Sequence, residues 1–497
     1  MLTSELLELL PESHLIGRKD REIRGIAYDS RAVRDGFLFA ALRGAHTDGH
    51  RYLAQAVAAG AAALLVEEAP AEELLRKASA IVVPNTRAAL APAAAGFHGH
   101  PTRELLLFAV TGTNGKTSTT HLIDCALTAA GVHSGVAGTL GAKIGDEWRK
   151  LPHTTPESAD LQQLFREMAD QGVSAAAMEA SSHAIAQNRM DCVEVDVAVF
   201  TNLTQDHLDF HGTMDGYFEV KSRLFTSFAD GRPGFTSVIN IDDPWGRERL
   251  LPIARGRIVT YGTSPDALYR ATDTRSGPRG ASFVLDCPEG SARVSLSLGG
   301  LFNVHNALAA AAATLSQGFP VEAVIRGLQD LRSVPGRFEL VDAGQDYTVI
   351  VDYAHTPDGL ENVLSSCRRL DAGRVIAVFG CGGDRDRSKR PQMGDIAYRL
   401  SDVCVVTSDN PRSEDPAAIV GDVLAGMPED RGGKVRVHLD RREAIREAIS
   451  EARAGDVVII AGKGHETDQI FADRRIEFDD RAVVREIITG GGTETAR

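Results

Sequence analysis

Cysteine is scarce in this chain: six residues in 497 (Cys125, Cys192, Cys287, Cys367, Cys381 and Cys404), with no C-x-x-C pair among them. That spacing supports neither a disulfide framework nor a structural zinc site, and it predicts reduced thiols in a cytosolic setting. Long apolar runs are missing too. None approaches the roughly 20 residues a bilayer requires, and the segment from Met1 to Leu10 carries Glu5 and Glu8 but no basic n-region. A soluble, untargeted protein with no membrane partner is expected. Basic clusters are also absent: 68 acidic residues outnumber 54 basic ones, for a net charge of -14. Such a balance opposes binding to nucleic acid or anionic surfaces. No segment repeats with a fixed period, so a repeat architecture is not expected.

What is present is 43% hydrophobic residues spread over 497 positions. A chain this long exceeds one core and is apolar enough for several, so three domains are predicted. The first, residues 1–99, holds short apolar runs such as Gly36 to Ala41 and an alanine-rich stretch from Ala54 to Val66, and stops at the turn-prone Gly99-His100-Pro101. The second, residues 100–334, opens on a continuous apolar run from Leu105 to Val110, the pattern of a parallel strand buried on both faces. Further strands are predicted at Val173 to Met178, Val195 to Phe200 and Ser237 to Ile241, with helices between them. Near Val334-Pro335-Gly336 the third domain begins, residues 335–497, with strands at Thr348 to Val351, Arg374 to Phe379, Val403 to Val406 and Val457 to Ile460. Each runs into a polar or glycine-rich loop: Asp352 to Asp358, Gly380 to Arg390, Ser408 to Pro416 and Ala461 to Glu466. In doubly wound sheets ligands bind at the carboxyl ends of strands, so these loops are predicted to share a cleft. The tail from Gly490 to Arg497 reads as disordered. The fold class is α/β throughout, with a P-loop-type centre and a Rossmann-like C-terminal domain.

Gly112-Thr113-Asn114-Gly115-Lys116-Thr117 lies between an apolar strand and a helical stretch. There, backbone N–H groups and a helix N-terminus can cradle phosphates, Lys116 supplies a point charge, and the Thr117 hydroxyl is available to Mg²⁺. The strict pattern G-x-x-x-x-G-K-[ST] is not met, because Val110 stands where the first glycine belongs, and that departure points to a specialised family. The plain alternative is an ordinary strand-to-helix turn. Two further strands lead into Glu179-Ala180-Ser181-Ser182-His183 and Thr201-Asn202-Leu203-Thr204-Gln205-Asp206-His207-Leu208-Asp209. Glu179 and His207 are candidate Mg²⁺ ligands there, although imidazole is an unusual ligand for so hard an ion; read alone, each is a helix cap or satisfied loop residue more often than a ligand, and their shared position at strand ends brings the two readings level.

With T-G-T-N-G-K-T, then M-E-A-S-S-H, then T-N-L-T-Q-D-H-L-D, the chain resembles the Mur ligases, which join an amino acid to a UDP-N-acetylmuramoyl peptide. The resemblance covers nearly the whole length. Asp29-Ser30-Arg31 and the stretch Gly44 to Tyr52 resemble the family's uridine-binding N-terminal domain. Asp352-Tyr353-Ala354-His355-Thr356-Pro357, Gly380-Cys381-Gly382-Gly383-Asp384-Arg385-Asp386, Asp409-Asn410-Pro411-Arg412 and Gly462-Lys463-Gly464-His465-Glu466 resemble the branch that adds meso-diaminopimelate. The resemblance implies that Ser30, His46 and Thr47 meet the uridine diphosphate, and that Thr154, Thr155, Ser181, Gln187 and Arg189 hold the muramoyl-peptide side. It assigns the ATP phosphates to Gly112, Thr113, Asn114, Gly115, Lys116, Thr117 and Ser118, with further nucleotide contacts from Asn303, Asn306, Arg337 and Asp352. Arg385, Asp409, Asn410, Pro411, Arg412, Gly462 and Glu466 would bind diaminopimelate. Lys221 matches a lysine the family carries as a carbamate. Catalysis would rest on Lys116, Lys221, His207 and Glu179, and the metal, two Mg²⁺ ions, on Thr117, Glu179, His207 and carbamylated Lys221.

Without that resemblance Lys221 reads as a solvated helix lysine and Arg412 as a loop arginine in a turn begun by Asn-Pro. With it, the expected reaction is ATP-dependent ligation of meso-diaminopimelate to the D-Glu γ-carboxylate of UDP-N-acetylmuramoyl-L-alanyl-D-glutamate through an acyl phosphate. A monomer in the bacterial cytoplasm is expected, serving peptidoglycan synthesis and hence cell shape and division. Three alternatives stay open: the lysine-adding version of the same ligase, a folylpolyglutamate synthetase, and a nucleotide-gated binding protein that makes no bond. The Asp-Asn-Pro-Arg loop argues against lysine, and the uridine-type N-terminal segment against folate.

Overall fold

The computed structural model describes residues 1–18, 20–44, 47–369 and 373–490. Three principal sheets follow one another along the chain. The first comprises β1 (His14–Ile16), β2 (Gly25–Ala27), β3 (Phe37–Ala40), β4 (Ala63–Val66) and β5 (Ser79–Val82), in the order β1-β5-β4-β3-β2. Only β1 runs antiparallel to its neighbour. The alanine-rich stretch splits into a helix, Leu53–Ala58, and β4, all four of whose residues are buried. Asn85 then starts the helix Thr86–Phe97 by accepting from the N–H groups of Arg87 and Ala88.

The second sheet has eleven strands: β6 (Leu106–Thr111), β7 (Ser134–Gly138), β8 (Gly141–Ile144), β9 (Glu147–Arg149), β10 (Ala175–Glu179), β11 (Val197–Phe200), β12 (Thr236–Asn240), β13 (Arg257–Gly262), β14 (Tyr269–Gly277), β15 (Gly280–Cys287) and β16 (Gly290–Leu296). Their order is β16-β15-β14-β13-β12-β11-β6-β10-β7-β8-β9. Side chains alternate across a strand, and here that places Phe108 and Val110 with Leu122, Val304 and Leu308 on one face while Leu107 and Ala109 join Leu161 and Phe165 on the other. Both faces of β6 are therefore core, which is why its sequence is continuously apolar. The antiparallel extension β14–β16 was not anticipated from the sequence. Its strands alternate buried and open positions, and that period of two is their signature.

The third sheet holds β17 (Glu339–Leu340), β18 (Thr348–Asp352), β19 (Val375–Phe379), β20 (Val403–Thr407), β21 (Val435–His438) and β22 (Val457–Ala461), ordered β17-β18-β22-β19-β20-β21. All pairings except β17–β18 are parallel. A hairpin, β23 (Asp468–Ile470) and β24 (Arg475–Glu477), follows β22. Gly490 closes the last helix, Asp480–Thr489, in a left-handed cap, so the expected disordered tail does not begin there; its remaining residues lie outside those described. Among the described residues no helix is long and apolar enough to cross a membrane.

Candidate active site

The central strand β6 ends between β10 and β11, and its C-terminal turn feeds directly into the helix Lys116–Ala129. Gly115 precedes that helix at φ 86°, and a Cβ there would collide with Asn306 Oδ1, so glycine serves both the left-handed turn and the close approach. Around the turn lies a cleft of about 540 Å³. Of the residues singled out in the sequence it gathers Thr113, Asn114, Gly115, Lys116, Thr117, Ser118, Thr154, Glu179, Ser181, His207, Lys221, Asn306, Arg337 and Asp352. Gly112 and Asn303 stand just behind the wall: the Gly112 carbonyl accepts from both lysines, and Asn303 Oδ1 accepts from Asn306 Nδ2 at 2.9 Å.

Electrostatics in the cleft are dominated by two amines, Lys221 buried and Lys116 partly so. Lys116 Nζ donates to the Gly112 carbonyl at 2.9 Å and to Thr113 O at 2.8 Å; Lys221 Nζ donates to the same Gly112 oxygen at 2.9 Å. Lys221 is 1% exposed, so the reading of a solvated lysine is overturned: its helix, Met214–Ser222, turns that face into the core. Burial, and then the neighbouring Lys116, push its pKa well below the usual lysine range. Burial lowers Lys116 as well, against the pull of Glu179 and Asp206. The Glu179 carboxylate accepts from the Thr139 backbone N–H at 2.8 Å and its hydroxyl at 3.0 Å. His207 opens a short turn at φ 55°, and burial holds its imidazole far below its ordinary pKa despite adjacent Asp206, so it is neutral at pH 7.

The third sheet reaches into the same cleft. Arg337 Nη2 donates to Thr117 Oγ1 at 3.1 Å while its guanidinium covers the Tyr353 ring at 4.4 Å. Asp352 is buried and accepts from the N–H groups of Phe338 and Ala354. Asn114 Nδ2 meets Asp358 Oδ2 at 2.5 Å. Asp206, Tyr217, His355 and Asp358 also line the cleft and were not singled out. Asp206 and Asp358 were within reach of sequence reasoning, since each lies in a loop already marked; the pairing of Asp358 with Asn114 was not, because only tertiary contact brings the two together.

Other marked residues lie outside this cleft. Thr155 is buried, its hydroxyl on the Glu179 carbonyl at 2.7 Å. Arg189 donates to Thr155 O and to Gln187 Oε1, and pairs with Glu157, which also binds Arg87 from the first unit at 2.5 Å. Ser30 donates to Gln55 Oε1 at 3.1 Å, and Thr47 is exposed in a turn where its carbonyl accepts from Gly44 N. His46 lies outside the described residues.

A second cluster forms where β19, β20 and β22 end. Arg412 is half-buried, not the free loop arginine of the plain reading, and it adopts a left-handed φ of 53°. Its Nη1 donates to Gly383 O at 2.6 Å, its backbone N–H to Ile470 O at 3.0 Å. Burial and the nearby Arg385 lower its pKa. Neither arginine has an ion-pair partner among the described residues, and two unpaired guanidinium groups side by side call for an anion. Pro411 directly precedes Arg412, Asn410 Nδ2 donates to Glu466 Oε2 at 2.7 Å, and a Cβ on Gly462, at φ 118°, would strike Asp409.

Comparison with known proteins fits this arrangement. Over 486 residues, 98% of this chain and 99% of the relative, the sequence is 46% identical to a UDP-N-acetylmuramoyl-L-alanyl-D-glutamate--2,6-diaminopimelate ligase of Syntrophomonas wolfei. Three family models match in succession: "Mur ligase family, catalytic domain" at residues 22–98, "Mur ligase middle domain" at 110–314 and "Mur ligase, glutamate ligase domain" at 336–464. The chain belongs to the Mur ligase family. As a Mur ligase it is an ATP-dependent enzyme that forms amide bonds. It is also 47% identical to a ligase of the same name from Geobacillus kaustophilus, across 98% of this chain and all of that one. A solved structure bearing that name superimposes with a TM-score of 0.68 at 35% identity, covering 99% of both chains.

Proposed function

We propose that this Mur ligase joins meso-diaminopimelate to the D-Glu γ-carboxylate of UDP-N-acetylmuramoyl-L-alanyl-D-glutamate, with ATP becoming ADP and phosphate, in peptidoglycan synthesis. The observation that carries the amino-acid choice is the unpaired Arg385–Arg412 pair beside Glu466, a site for a carboxylate and an ammonium on one carbon. Relatives named for this reaction at 44–47% identity support the same reading. The units divide at 99/100 and 334/335, the first for the uridine diphosphate through Ser30, His46 and Thr47, the last for the amino acid. Thr154, Thr155, Ser181, Gln187 and Arg189 take the muramoyl dipeptide.

A carboxylate is a poor electrophile, and its approach to a triphosphate brings like charges together. The γ-carboxylate oxygen attacks the γ-phosphorus, the bond to the β-phosphate oxygen breaks, and ADP leaves. Lys116 offsets the repulsion once ATP replaces its present carbonyl partners, and Asn303, Asn306, Arg337 and Asp352 hold the nucleotide. The diaminopimelate amine then attacks the acyl phosphate carbon, phosphate departs and the nitrogen loses a proton.

Among the described residues no three His, Cys, Asp or Glu side chains form a metal cage. Magnesium does not require one, since it keeps several waters and takes one or two protein oxygens with the phosphates. Thr117 and Glu179 suit it at the cleft wall, neutral His207 fits a ligand role better than a charged imidazole would, and Lys221 as a carbamate would add a carboxylate for a second ion. Bound magnesium supplies neutralising charge to the phosphates.

The test is phosphate release from ATP with the UDP-muramoyl dipeptide, offering meso-diaminopimelate or L-lysine and weighing the product. Release with diaminopimelate and not lysine is expected. A lysine preference would overturn the amino-acid assignment, and no release with either would overturn the reaction.

A further inference from the structure

Lys463 belongs to none of the roles assigned above, yet its side chain is fully buried at the end of β22, between the two glycines 462 and 464. An ammonium removed from water must recover three hydrogen bonds. Lys463 Nζ does so with Asn410 Oδ1 at 3.2 Å, Glu466 Oε2 at 3.2 Å and the main-chain oxygen of Asp468. Two of these three acceptors belong to the amino-acid cluster.

The consequences for those two side chains are specific. Asn410 Oδ1 also accepts from Ile470 N–H at 3.0 Å, so two donors hold the amide oxygen on the protein side. Its NH₂ group is thereby turned to Glu466 Oε2 at 2.7 Å. Glu466 Oε2 is occupied by Asn410 and Lys463, while Oε1 has no hydrogen-bond partner among the described residues and the side chain stays 31% exposed. One carboxylate oxygen is anchored and the other is left for a ligand. Arg412 is tied to the same hairpin, since its backbone N–H donates to Ile470 O.

We propose that Lys463 is a positioning residue for the distal end of the amino acid, fixing the free oxygen of Glu466 relative to the Arg412 guanidinium. The idea rests on the diaminopimelate reading above. A distal carbon bearing an ammonium and a carboxylate is held at two points by Glu466 and Arg412, and its attachment to the chain is the third. Three points distinguish the two configurations of that carbon, provided that Glu466 and Arg412 keep a fixed separation. Lys463 maintains it. The residue therefore governs the preference for meso- over LL-diaminopimelate without touching either.

The experiment replaces Lys463 by Met in the full-length enzyme, which keeps the length and apolar stem and removes the three donors. KM is measured for meso-diaminopimelate, LL-diaminopimelate, ATP and the UDP-muramoyl dipeptide, together with thermal unfolding. A rise of about 10–100-fold in KM for the meso isomer is expected, as for loss of a residue that orients a binding group, with the KM values for ATP and the UDP-muramoyl dipeptide within about twofold and a smaller meso-to-LL preference. An unchanged KM and preference, even with a lower Tm, would overturn the proposal. Should K463M not fold, the double variant K463M/E466Q, which removes both charges, carries the test beside E466Q alone. If Lys463 acts through Glu466, the two have the same KM for diaminopimelate; a further rise in the double variant overturns the idea. Wild-type enzyme that ignores diaminopimelate would defeat the functional reading instead, so the two failures are separable.

Discussion

Lys116 and Lys221 share one carbonyl oxygen, that of Gly112, in a site where burial already disfavours charge. Two ammonium groups cannot rest there at low cost, and the depressed Lys221 pKa means that its amine is neutral at a pH where an exposed lysine would be charged. A neutral amine is the form that adds CO₂, giving up a proton as the N–C bond forms, and the resulting anion would pair with Lys116 instead of repelling it. On the carbamate proposal, Lys221→Ala lowers kcat about a hundredfold or more. Falling pH should weaken the wild-type enzyme further, because protonation of the amine blocks carbamate formation; steady-state rates across pH with and without added bicarbonate check both. Bicarbonate that rescues wild type but not Lys221→Ala is the expected pattern, and a fully active Lys221→Ala enzyme would sink the proposal.

At the level of elements, the ends of β20 and β22 carry the loops proposed to bind the amino acid and are joined from behind by the helix Arg441–Glu451. Arg441 is 1% exposed and donates to the carbonyls of Ser408 and Ala461, while Asp480, at the start of the last helix, accepts from its Nε and Nη2 at 2.8 and 2.7 Å. One buried ion pair thus binds two strand ends to the C-terminal helix. Removing the anion strands a buried guanidinium, so Asp480→Ala should destabilise the third unit by about 3–5 kcal/mol, measured by denaturant unfolding. A loss under about 1 kcal/mol would show that water reaches Arg441 and that the clamp is weak.

Across the whole molecule, contacts between units converge on residues of the proposed substrate path. Glu157 bridges Arg87 and Arg189, and Tyr28 donates to Asp160 at 2.5 Å, so the first unit rests on the helix Ser158–Asp170. Arg337 and Asp358 draw the third unit over the phosphate turn. That closure matters because an acyl phosphate in contact with water hydrolyses. Arg337→Ala is expected to slow ligation and also to release more phosphate than amide product, a ratio above one where the wild type gives one. Parallel assays of phosphate and product decide it; a ratio that stays at one would leave Arg337 a nucleotide contact only.

Much of this was legible without coordinates, and the reason is local. Buried parallel strands such as β6 and β19 are apolar on both faces, and glycines such as Gly115 and Gly462 mark left-handed turns, so strands and loops could be read in order from one dimension. The motifs carried the phosphate turn, Glu179, His207 and the Asp409 to Arg412 loop. Burial was not legible: Lys221 and Arg412 look solvated in sequence because charge predicts exposure unless the surroundings supply partners, and those partners come from other segments. The same holds for Lys463 in part, since Asn410 lies 53 residues away although Glu466 and Asp468 are only 3 and 5 residues on, and for Asp358, 244 residues from Asn114. The residue types and their order were determined by the sequence alone; which charges face each other, and which are left unpaired for a ligand, was decided only when the chain closed on itself, because electrostatic energy depends on distance in space and on the water excluded between groups.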